Sequence, residues 1–349
     1  MTPPDSSRKP HHRGGRFQNN YVEFTARSLA EVLRWKREAR RNGLPPPPRE
    51  PIPQAPADLD FLAANARAGS AMVPAMTWVG HATVLAQLGG LSMLTDPIFS
   101  LRASPLGFAG PLRHQPPGVA LVDLPHIDLV VVSHNHYDHL DSASVRALAR
   151  QAGGPPLFVV PLGLAAWFRG LGIANVVELD WWQAHQLGNV EIVLVPAQHW
   201  SARGLNDRMK TLWGAWSVFA GDLRWYFSGD AGYSSHFADV REQFASRARD
   251  GLVFDLALLS IGAYEPRWFM REQHMNPADA VQAHKDLGAR RSMGIHWGTF
   301  QLTDEALDQP PIDLAVARQE QRVPEQDFFV LPIAGTHWPA GAPGPDPKQ

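Results

Sequence analysis

The sequence predicts an α/β protein in which β-sheets are covered by helices. Short apolar runs of β type recur beyond Pro51, and stretches with helical periodicity lie between several of them. The β-type runs span residues 76–88, 91–94, 129–132, 157–160, 190–195, 213–220, 225–227, 256–259 and 292–295. The helical stretches span residues 142–151, 163–171 and 277–287, and Asn276 followed by Pro277 marks the start of the last one.

Composition limits the classes of protein that this chain can belong to. The chain has 349 residues, 44% of them hydrophobic, and a formal net charge of −2. This length suits one large domain or two ordinary ones, and the composition argues against a disordered or globally basic nucleic-acid-binding protein. No cysteine is present, which excludes structural disulfides, cysteine-ligated zinc, iron–sulfur clusters and thiol nucleophiles. Any metal ion must therefore be held by histidine, aspartate and glutamate.

Hydropathy gives an expectation about location. No run reaches 18 consecutive apolar residues, and the strongest candidate, residues 157–168, contains Pro161 and precedes Arg169. The first residues lack the apolar core of a signal peptide. Together with the missing cysteines, these features favour a cytoplasmic protein.

Charge divides the chain into a basic N-terminal region and an acidic body. Residues 1–50 carry eleven Lys and Arg against five Asp and Glu, a net charge of +6, and the remaining residues carry −8. Residues 1–50 are predicted to form a basic arm with a short amphipathic helix and a proline-rich linker, with residues 1–20 either disordered or laid over the body. Residues 51–338 form the predicted main domain, and residues 339–349 a disordered tail.

The predicted helix of the basic arm has recognisable start and stop signals. Ser28-Leu29-Ala30-Glu31 is typical of a capping box, and Gly43 before a run of prolines ends the helix. One helical face is apolar and holds Leu29, Val32, Leu33 and the stem of Lys36. A basic face holds Arg34, Arg37, Arg40 and Arg41. This helix either packs on its own domain or lies on a membrane surface.

The most informative segment is the loop that follows the third β-type run. Residues 130–141 read VVVSHNHYDHLD, so a buried apolar strand leads directly into three histidines and an aspartate. A packed core accommodates that density of titratable groups only if something satisfies them, and a metal ion does so. His134 and His136 can point toward one divalent ion while Asp138 and His139 turn toward a second.

This pattern resembles the signature of the metallo-β-lactamase superfamily. The resemblance implies a four-layer αββα sandwich with further ligands at downstream strand ends, where residues 196–200, 227–232 and 294–298 match the expected motifs. It implies that His134, His136 and His199 hold one zinc ion and that Asp138, His139 and His296 hold the other. Asp230 is implied to bridge the two ions, and the glycines beside it let the backbone turn away from a crowded centre.

Longer motifs resemble the N-acylphosphatidylethanolamine-hydrolysing phospholipase D family. They are TWVGHAT at 77–83, LTDPIFS at 94–100, QHW at 198–200, LWGAWS at 212–217, IGAYEPRWFM at 261–270 and IHWGTF at 295–300. The resemblance implies a phospholipid substrate at a membrane surface, cleaved by a hydroxide shared between two zinc ions to give an N-acylethanolamine and phosphatidic acid. In this reading Asp138 and Asp230 serve catalysis through the metals.

The resemblance also implies roles for residues around the metals. Tyr137 and His274 are assigned to substrate binding, although a ring packed on the loop and an ordinary loop histidine are the plain alternatives. Asp96 is expected to orient a ligand or the metal loop by hydrogen bonds, with a simple turn aspartate as the alternative. The remaining histidines considered are expected to be structural or exposed: His81, His126, His185, His236 and His284.

Two other functions remain open at this point. A related hydrolase of phosphorylated lactones or other phosphodiesters uses similar chemistry, and a non-catalytic lipid-binding protein comes from a different class. An intact set of seven metal ligands argues against the binding protein. Nucleic acid is not an expected partner because the body is acidic, and assembly as a homodimer stays open.

Overall fold

The computed structural model describes residues 10–204, 206–221 and 223–339. The strands are β1 (His12–Arg13), β2 (Arg16–Phe17), β3 (Ala75–Gly80), β4 (Thr83–Leu88), β5 (Leu91–Thr95), β6 (Leu129–Val131), β7 (Leu157–Pro161), β8 (Val176–Leu179), β9 (Ala184–Leu187), β10 (Val190–Val195), β11 (Ala215–Ala220), β12 (Leu223–Phe227), β13 (Phe254–Ser260), β14 (Ala289–Ile295), β15 (Phe328–Phe329) and β16 (Thr336–His337). The helices are α1 (Leu29–Arg41), α2 (Leu59–Arg67), α3 (Ser142–Leu148), α4 (Ala165–Gly170), α5 (His236–Gln243), α6 (Arg267–Met270), α7 (Pro277–Leu287) and α8 (Gln309–Gln321).

Two seven-stranded sheets form the centre of the fold. One has the strand order β16-β3-β4-β5-β6-β7-β8 and the other β15-β14-β13-β12-β11-β10-β9. Each sheet combines an antiparallel part with a parallel part, which runs from β5 to β8 in the first sheet and from β12 to β15 in the second. Helices cover the outer faces, so the predicted αββα sandwich is confirmed.

Strand periodicity explains why the first sheet is buried on both faces. In β6, Leu129 and Val131 belong to the core between the sheets, whereas Val130 belongs to the core under the helices. Phe158 of β7 joins Val130 there, packed against Phe168 of α4 at a ring distance of 4.9 Å. Alternate residues of a strand point to opposite faces, so strands covered on both sides have nearly continuous apolar sequences.

Several elements differ from the sequence prediction. The run 76–88 is a hairpin of two strands that turns at His81 and Ala82. Helix α8 was not predicted, because two prolines follow its first residue, yet prolines are tolerated in the first turn of a helix. Strands β8 and β9 were also missed, since both are partly exposed and lack a clear apolar pattern.

The capping box of α1 is present, and its predicted apolar face is largely exposed. Leu29 and Leu33 are 74% and 55% exposed, whereas Trp35 and Ala39 are buried. The Trp35 ring packs on Phe269 of α6 at a centroid distance of 4.8 Å. The position of α6 therefore decides which stripe of α1 is buried, and the two leucines lie on the neighbouring stripe.

The described part of the N-terminal arm lies on the body. Strands β1 and β2 form a small hairpin, and the buried His11 stacks on Trp181 at a ring distance of 4.4 Å. The backbone N–H of Phe17 donates to the carbonyl of Met209 at 2.8 Å. Apart from Pro339, the predicted tail falls outside the described residues. No helix among the described residues is long and apolar enough to cross a bilayer.

Candidate metal centre

The candidate ligands follow strand ends and meet where the two sheets open. Strand β6 leads into the loop of His134, His136, Asp138 and His139. Strands β10, β12 and β14 of the other sheet lead into three more: His199, Asp230 and His296. Carboxyl ends of parallel strands lie at the same edge of a sheet, which is why ligands distant in sequence converge.

The first cluster consists of three histidines. Nε2 of His134 lies 2.8 Å from Nδ1 of His136, and Nε2 of His199 lies 3.3 Å from the same Nδ1. Ligands at 2.0–2.1 Å from a tetrahedral zinc ion are separated by about 3.3 Å. One imidazole proton cannot satisfy three nitrogens that face one another, so this arrangement fits three lone pairs directed at one ion.

The second cluster combines a carboxylate with histidines. Nε2 of His139 and Nε2 of His296 are 3.1 Å apart, and each lies 3.4 Å from Oδ2 of Asp138. His81 was expected to be merely structural or exposed, but it is buried and its Nε2 lies 3.0 Å from the same carboxylate oxygen. His81 therefore joins the candidate ligand group of Asp138, His139 and His296.

Asp230 contacts both clusters. Its Oδ2 lies 3.1 Å from Nε2 of His139, and 4.0 Å and 3.9 Å from Nε2 of His134 and His199. Its Oδ1 is buried and 3.0 Å from Nε2 of His296, yet within the described chain that oxygen accepts no hydrogen bond. A buried carboxylate oxygen that accepts no hydrogen bond is costly, and cations between the two clusters would satisfy it.

Burial and neighbouring charges set the protonation states in this centre. Burial lowers the pKa of His199 to about 4, and burial together with the neighbouring histidines holds the pKa of His134 and His136 well below its usual value. These rings are therefore neutral and keep a lone pair for a metal.

The carboxylates behave in the opposite way. Burial alone raises the pKa of Asp138 and Asp230, but the facing histidines, His139 first, outweigh it and hold both values well below the ordinary range. Burial opposes protonation of His139, but the two carboxylates raise its pKa well above the usual value. A bound cation would replace that proton, so metal binding releases protons.

Comparisons with known proteins agree with this geometry. Residues 92–297 match the β-lactamase superfamily domain. The chain is 41% identical over 276 residues to N-acyl-phosphatidylethanolamine-hydrolyzing phospholipase D 1 of Caenorhabditis elegans, covering 76% of this chain and 75% of the relative. This chain belongs to the N-acylphosphatidylethanolamine-hydrolysing phospholipase D family. Its membership and the assembled ligands make it a metal-dependent hydrolase.

Two further comparisons extend the likeness. An uncharacterized protein of Mycobacterium tuberculosis is 38% identical over 338 residues, covering 95% of this chain and 84% of the relative. An isothiocyanate hydrolase from Delia radicum gut bacteria has a TM-score of 0.58 at 20% identity, covering 75% of this chain and 98% of that one. The structural likeness shows the metallo-β-lactamase fold alone.

In this phospholipase D family member, Asp96 supports the metal loop. Its Oδ1 accepts the backbone N–H of Ser133 at 2.6 Å, and its Oδ2 lies 2.6 Å from Nδ1 of His139. The hydroxyl of Ser133 also donates to Oδ2 at 2.5 Å. The carboxylate thereby holds the His139 ring with Nε2 directed toward the second cluster.

Backbone geometry is unusual at the same places. His81, Asp96 and His296 have φ angles of 54°, 33° and 65°, a conformation that non-glycine residues adopt mainly at functional sites. Gly229 has a φ of 54°, and a Cβ atom added there would lie 2.4 Å from Cβ of Ser133. The loop before Asp230 can therefore approach the metal loop only because residue 229 has no side chain.

The two residues assigned to substrate binding lie beside the clusters in different environments. Nδ1 of His274 is buried 3.8 Å from Oδ2 of Asp230 and has no hydrogen-bond partner among the described residues. Burial lowers its pKa to about 3, so the ring is neutral. The hydroxyl of Tyr137 donates to the carbonyl of Arg203 at 2.7 Å, and the Arg203 guanidinium covers its ring at 4.1 Å.

Proposed function

We propose that this protein is a zinc-dependent phospholipase D that hydrolyses N-acylphosphatidylethanolamine to an N-acylethanolamine and phosphatidic acid. The observation that carries the proposal is Asp230, whose carboxylate lies within 4.0 Å of histidines from both clusters. A pair of adjacent cation sites suits displacement at phosphorus, where charge develops on several oxygens at once. The identity to the Caenorhabditis elegans phospholipase D supports the substrate.

Different residues of the chain would hold the two zinc ions. His134, His136 and His199 would hold one zinc ion, and Asp138, His139 and His296 the other, with Asp230 between them. When bound, zinc supplies Lewis acidity toward a phosphoryl oxygen and activates water at neutral pH. Water adds to phosphorus, the bond to the ethanolamine oxygen breaks, and that oxygen receives a proton.

Tyr137 and His274 are proposed to handle the substrate. The neutral His274 ring has a nitrogen beside Asp230 without a partner among the described residues, and through it the ring can donate a hydrogen bond to a phosphate oxygen. Tyr137 can do the same once its hydroxyl leaves the carbonyl of Arg203. Replacing Tyr137 with Phe, or His274 with Ala, should lower kcat/KM while both metal equivalents stay bound. Metal loss in either variant, or unchanged kinetics in both, would contradict these roles.

A lipid extract provides the test of the activity. Zinc-loaded protein is incubated with mixed phospholipids, and mass spectrometry identifies the consumed species and the products. We expect the wild type to consume N-acylphosphatidylethanolamine. The control variant Asp128→Asn should do the same, because the Asp128 carboxylate accepts the backbone N–H of Ser92 and is not among the candidate ligands. Asp230→Asn should lose most activity and loosen both ions. Selective consumption of another phosphodiester or a phosphorylated lactone would replace the proposal, and tight lipid binding without turnover would favour a binding protein.

Metal analysis tests the cofactor. The seven ligands predicted from the sequence, counted without His81, are too many for one tetrahedral ion, so about two zinc equivalents per chain are expected. Histidine and carboxylate ligands also suit iron, and the analysis should therefore measure both metals. One zinc equivalent or none after reconstitution, or iron retained in preference to zinc, would contradict the dizinc assignment.

A membrane surface is the proposed partner of α1. The helix exposes Leu29 and Leu33 together with Lys36, Arg37, Arg40 and Arg41, a combination typical of helices that lie on anionic bilayers. Each basic residue near such a surface contributes about 1 kcal/mol. Helix α1 also packs on α6, and the chain continues from α6 into the segment that carries His274. The helix could therefore bring the active site to its lipid.

Vesicle cosedimentation tests this contact. Leu33→Ser and Arg37→Gln should reduce binding to anionic vesicles, and added salt should weaken wild-type binding because it screens the basic face. Val316→Ser is the matched control, since Val316 is 51% exposed on another helix, α8. Equal, salt-insensitive binding by all proteins would leave α1 as a structural brace.

A further inference from the structure

The N-terminal segment, residues 17–24, lies along the loop that carries the metal ligand His199. Asn19 is buried within it and is linked twice to the backbone of His199. Nδ2 of Asn19 donates to the His199 carbonyl at 2.9 Å, and the His199 N–H donates to Oδ1 of Asn19 at 3.1 Å. The indole N–H of Trp213 donates to the same Oδ1 at 3.2 Å.

Neighbouring residues of the segment repeat this pattern on both sides of His199. The Gln198 side chain donates to the carbonyl of Val22 at 3.0 Å and accepts its N–H at 3.4 Å. Phe24 stacks on Trp200 with ring centroids 5.0 Å apart. Three consecutive residues of the ligand loop, 198–200, are therefore held by a segment almost 180 positions earlier in the chain.

Backbone and ring of His199 are held separately. Nδ1 of His199 donates to the carbonyl of Gln273 at 2.9 Å, which leaves Nε2 free to face His136 at 3.3 Å. The hydrogen bond to Gln273 sets the rotation of the ring. Asn19 sets where the backbone that carries the ring lies, and both are needed to place Nε2 in the first cluster.

We propose that Asn19 is a positioning residue of the metal centre, and that the N-terminal segment completes the three-histidine cluster. Residues that orient a metal ligand change metal affinity about 10- to 100-fold when they are replaced. Asn19 acts on the cluster of His134, His136 and His199 through His199, and within the described part of the chain it has no hydrogen bond to a ligand of the other cluster. Its loss should therefore affect one metal equivalent more than the other.

Asparagine is suited to this position because it donates and accepts hydrogen bonds at once. An aspartate has the same shape but no donor, so one carboxylate oxygen would face the His199 carbonyl. Asn19→Asp should consequently fail as Asn19→Ala does, although it preserves packing. Asn20→Ala is the matched control, because Asn20 is the same residue type, adjacent and exposed.

Metal release from the full-length protein tests the proposal. Zinc-loaded protein is mixed with a chromogenic chelator, and the rates of release of the two equivalents are followed. Asn19→Ala and Asn19→Asp should release one equivalent about 10- to 100-fold faster and leave the other rate unchanged, with Asn20→Ala like the wild type. Cobalt-substituted protein should show a changed visible spectrum in the two Asn19 variants only.

Any of four results would overturn the proposal. Wild-type release rates in both Asn19 variants would show that the contacts do not position His199. Equal acceleration of both equivalents would show a general loosening of the structure, and wild-type behaviour of Asn19→Asp alone would remove the donor role. If the Asn19 variants fail to fold by circular dichroism, Phe24→Leu replaces them. This change trims the contact with Trp200, and it should accelerate the same single equivalent by a smaller factor. An unchanged rate there would equally overturn the proposal.

Discussion

Replacing Asp96 with asparagine should weaken metal binding at the second cluster by switching the tautomer of His139. In the wild type, Oδ1 of Asp96 accepts the N–H of Ser133 at 2.6 Å, so the asparagine oxygen must occupy that position. The amide NH₂ then faces Nδ1 of His139, which is 2.6 Å from Oδ2 of Asp96. A donor at this position forces Nδ1 to accept, and the ring proton moves to Nε2, where the metal ligand is needed.

The magnitude follows from the role of such contacts. Changing the partner that orients a metal-bound histidine typically costs 10- to 100-fold in affinity, or about 1.4–2.7 kcal/mol. Exchange of a charge-assisted hydrogen bond for a neutral one should also lower the free energy of unfolding of the metal-free protein by about 1 kcal/mol. Turnover should fall with occupancy of the second cluster and recover partly at high zinc concentration.

Chelator competition measures the metal affinity, and denaturant unfolding measures the free energy of unfolding. Asp128→Asn serves as the control, because that carboxylate caps a strand through the N–H of Ser92 away from the metals. Wild-type affinity in Asp96→Asn would refute the tautomer argument. Loss of both metal equivalents to the same extent would indicate that Asp96 supports the whole loop instead of His139.

Three other outcomes are expected. His81→Ala should lower the affinity for one metal equivalent about 10- to 100-fold in chelator competition, because Nε2 of His81 lies 3.0 Å from Asp138. The control His126→Ala, at an exposed histidine, should leave both affinities unchanged. Equal metal affinities in the two variants would contradict this prediction. Thermal unfolding of metal-free protein should show greatest stability near pH 6.5. In the folded protein the pKa values of His199 and His274 are lowered to about 4 and about 3. Below about pH 6.5 these two histidines therefore bind protons in the unfolded chain but not in the folded one, and the folded protein loses stability. Above it, the stabilisation from His139 is lost as the pH rises through its raised pKa, so a flat profile from pH 5 to 8 would be evidence against these shifts. Trp35→Phe should lower the free energy of unfolding by about 1.5–3 kcal/mol without changing kcat, because it removes the 2.7 Å hydrogen bond to Asp304. The control is Trp182→Phe, at an exposed tryptophan. An equal decrease in the free energy of unfolding in both variants would show that the hydrogen bond is unimportant.

Local spacing explains what the sequence could reveal. Four candidate ligands lie within residues 134–139, so their proximity needs no knowledge of the rest of the chain. His199, Asp230 and His296 could be selected because each follows an apolar strand in a motif of a familiar family. The αββα architecture was accessible for a similar reason, since strand and helix periodicities are properties of short segments.

Contacts between distant segments were not accessible in this way. His81 reaches Asp138 across 57 positions, and Asn19 reaches His199 across 180. As single residues, a histidine in a hairpin turn and an asparagine in a polar arm have many equally plausible roles. Only the packing of β3 and of the N-terminal arm against the ligand loops brings them into contact with candidate metal ligands.

Helix α1 shows the same division of information within one element. Its sequence determined that a capped amphipathic helix begins after Ser28, because capping and periodicity act within a few residues. Two adjacent stripes of that helix carry apolar residues, and only the position of α6 decided that Trp35 is buried while Leu29 and Leu33 remain exposed. The periodicity of the α1 sequence shows that one face of the helix can be buried. Which face is buried also depends on the surface that packs against it, and that surface, α6, lies more than 200 positions away in the chain.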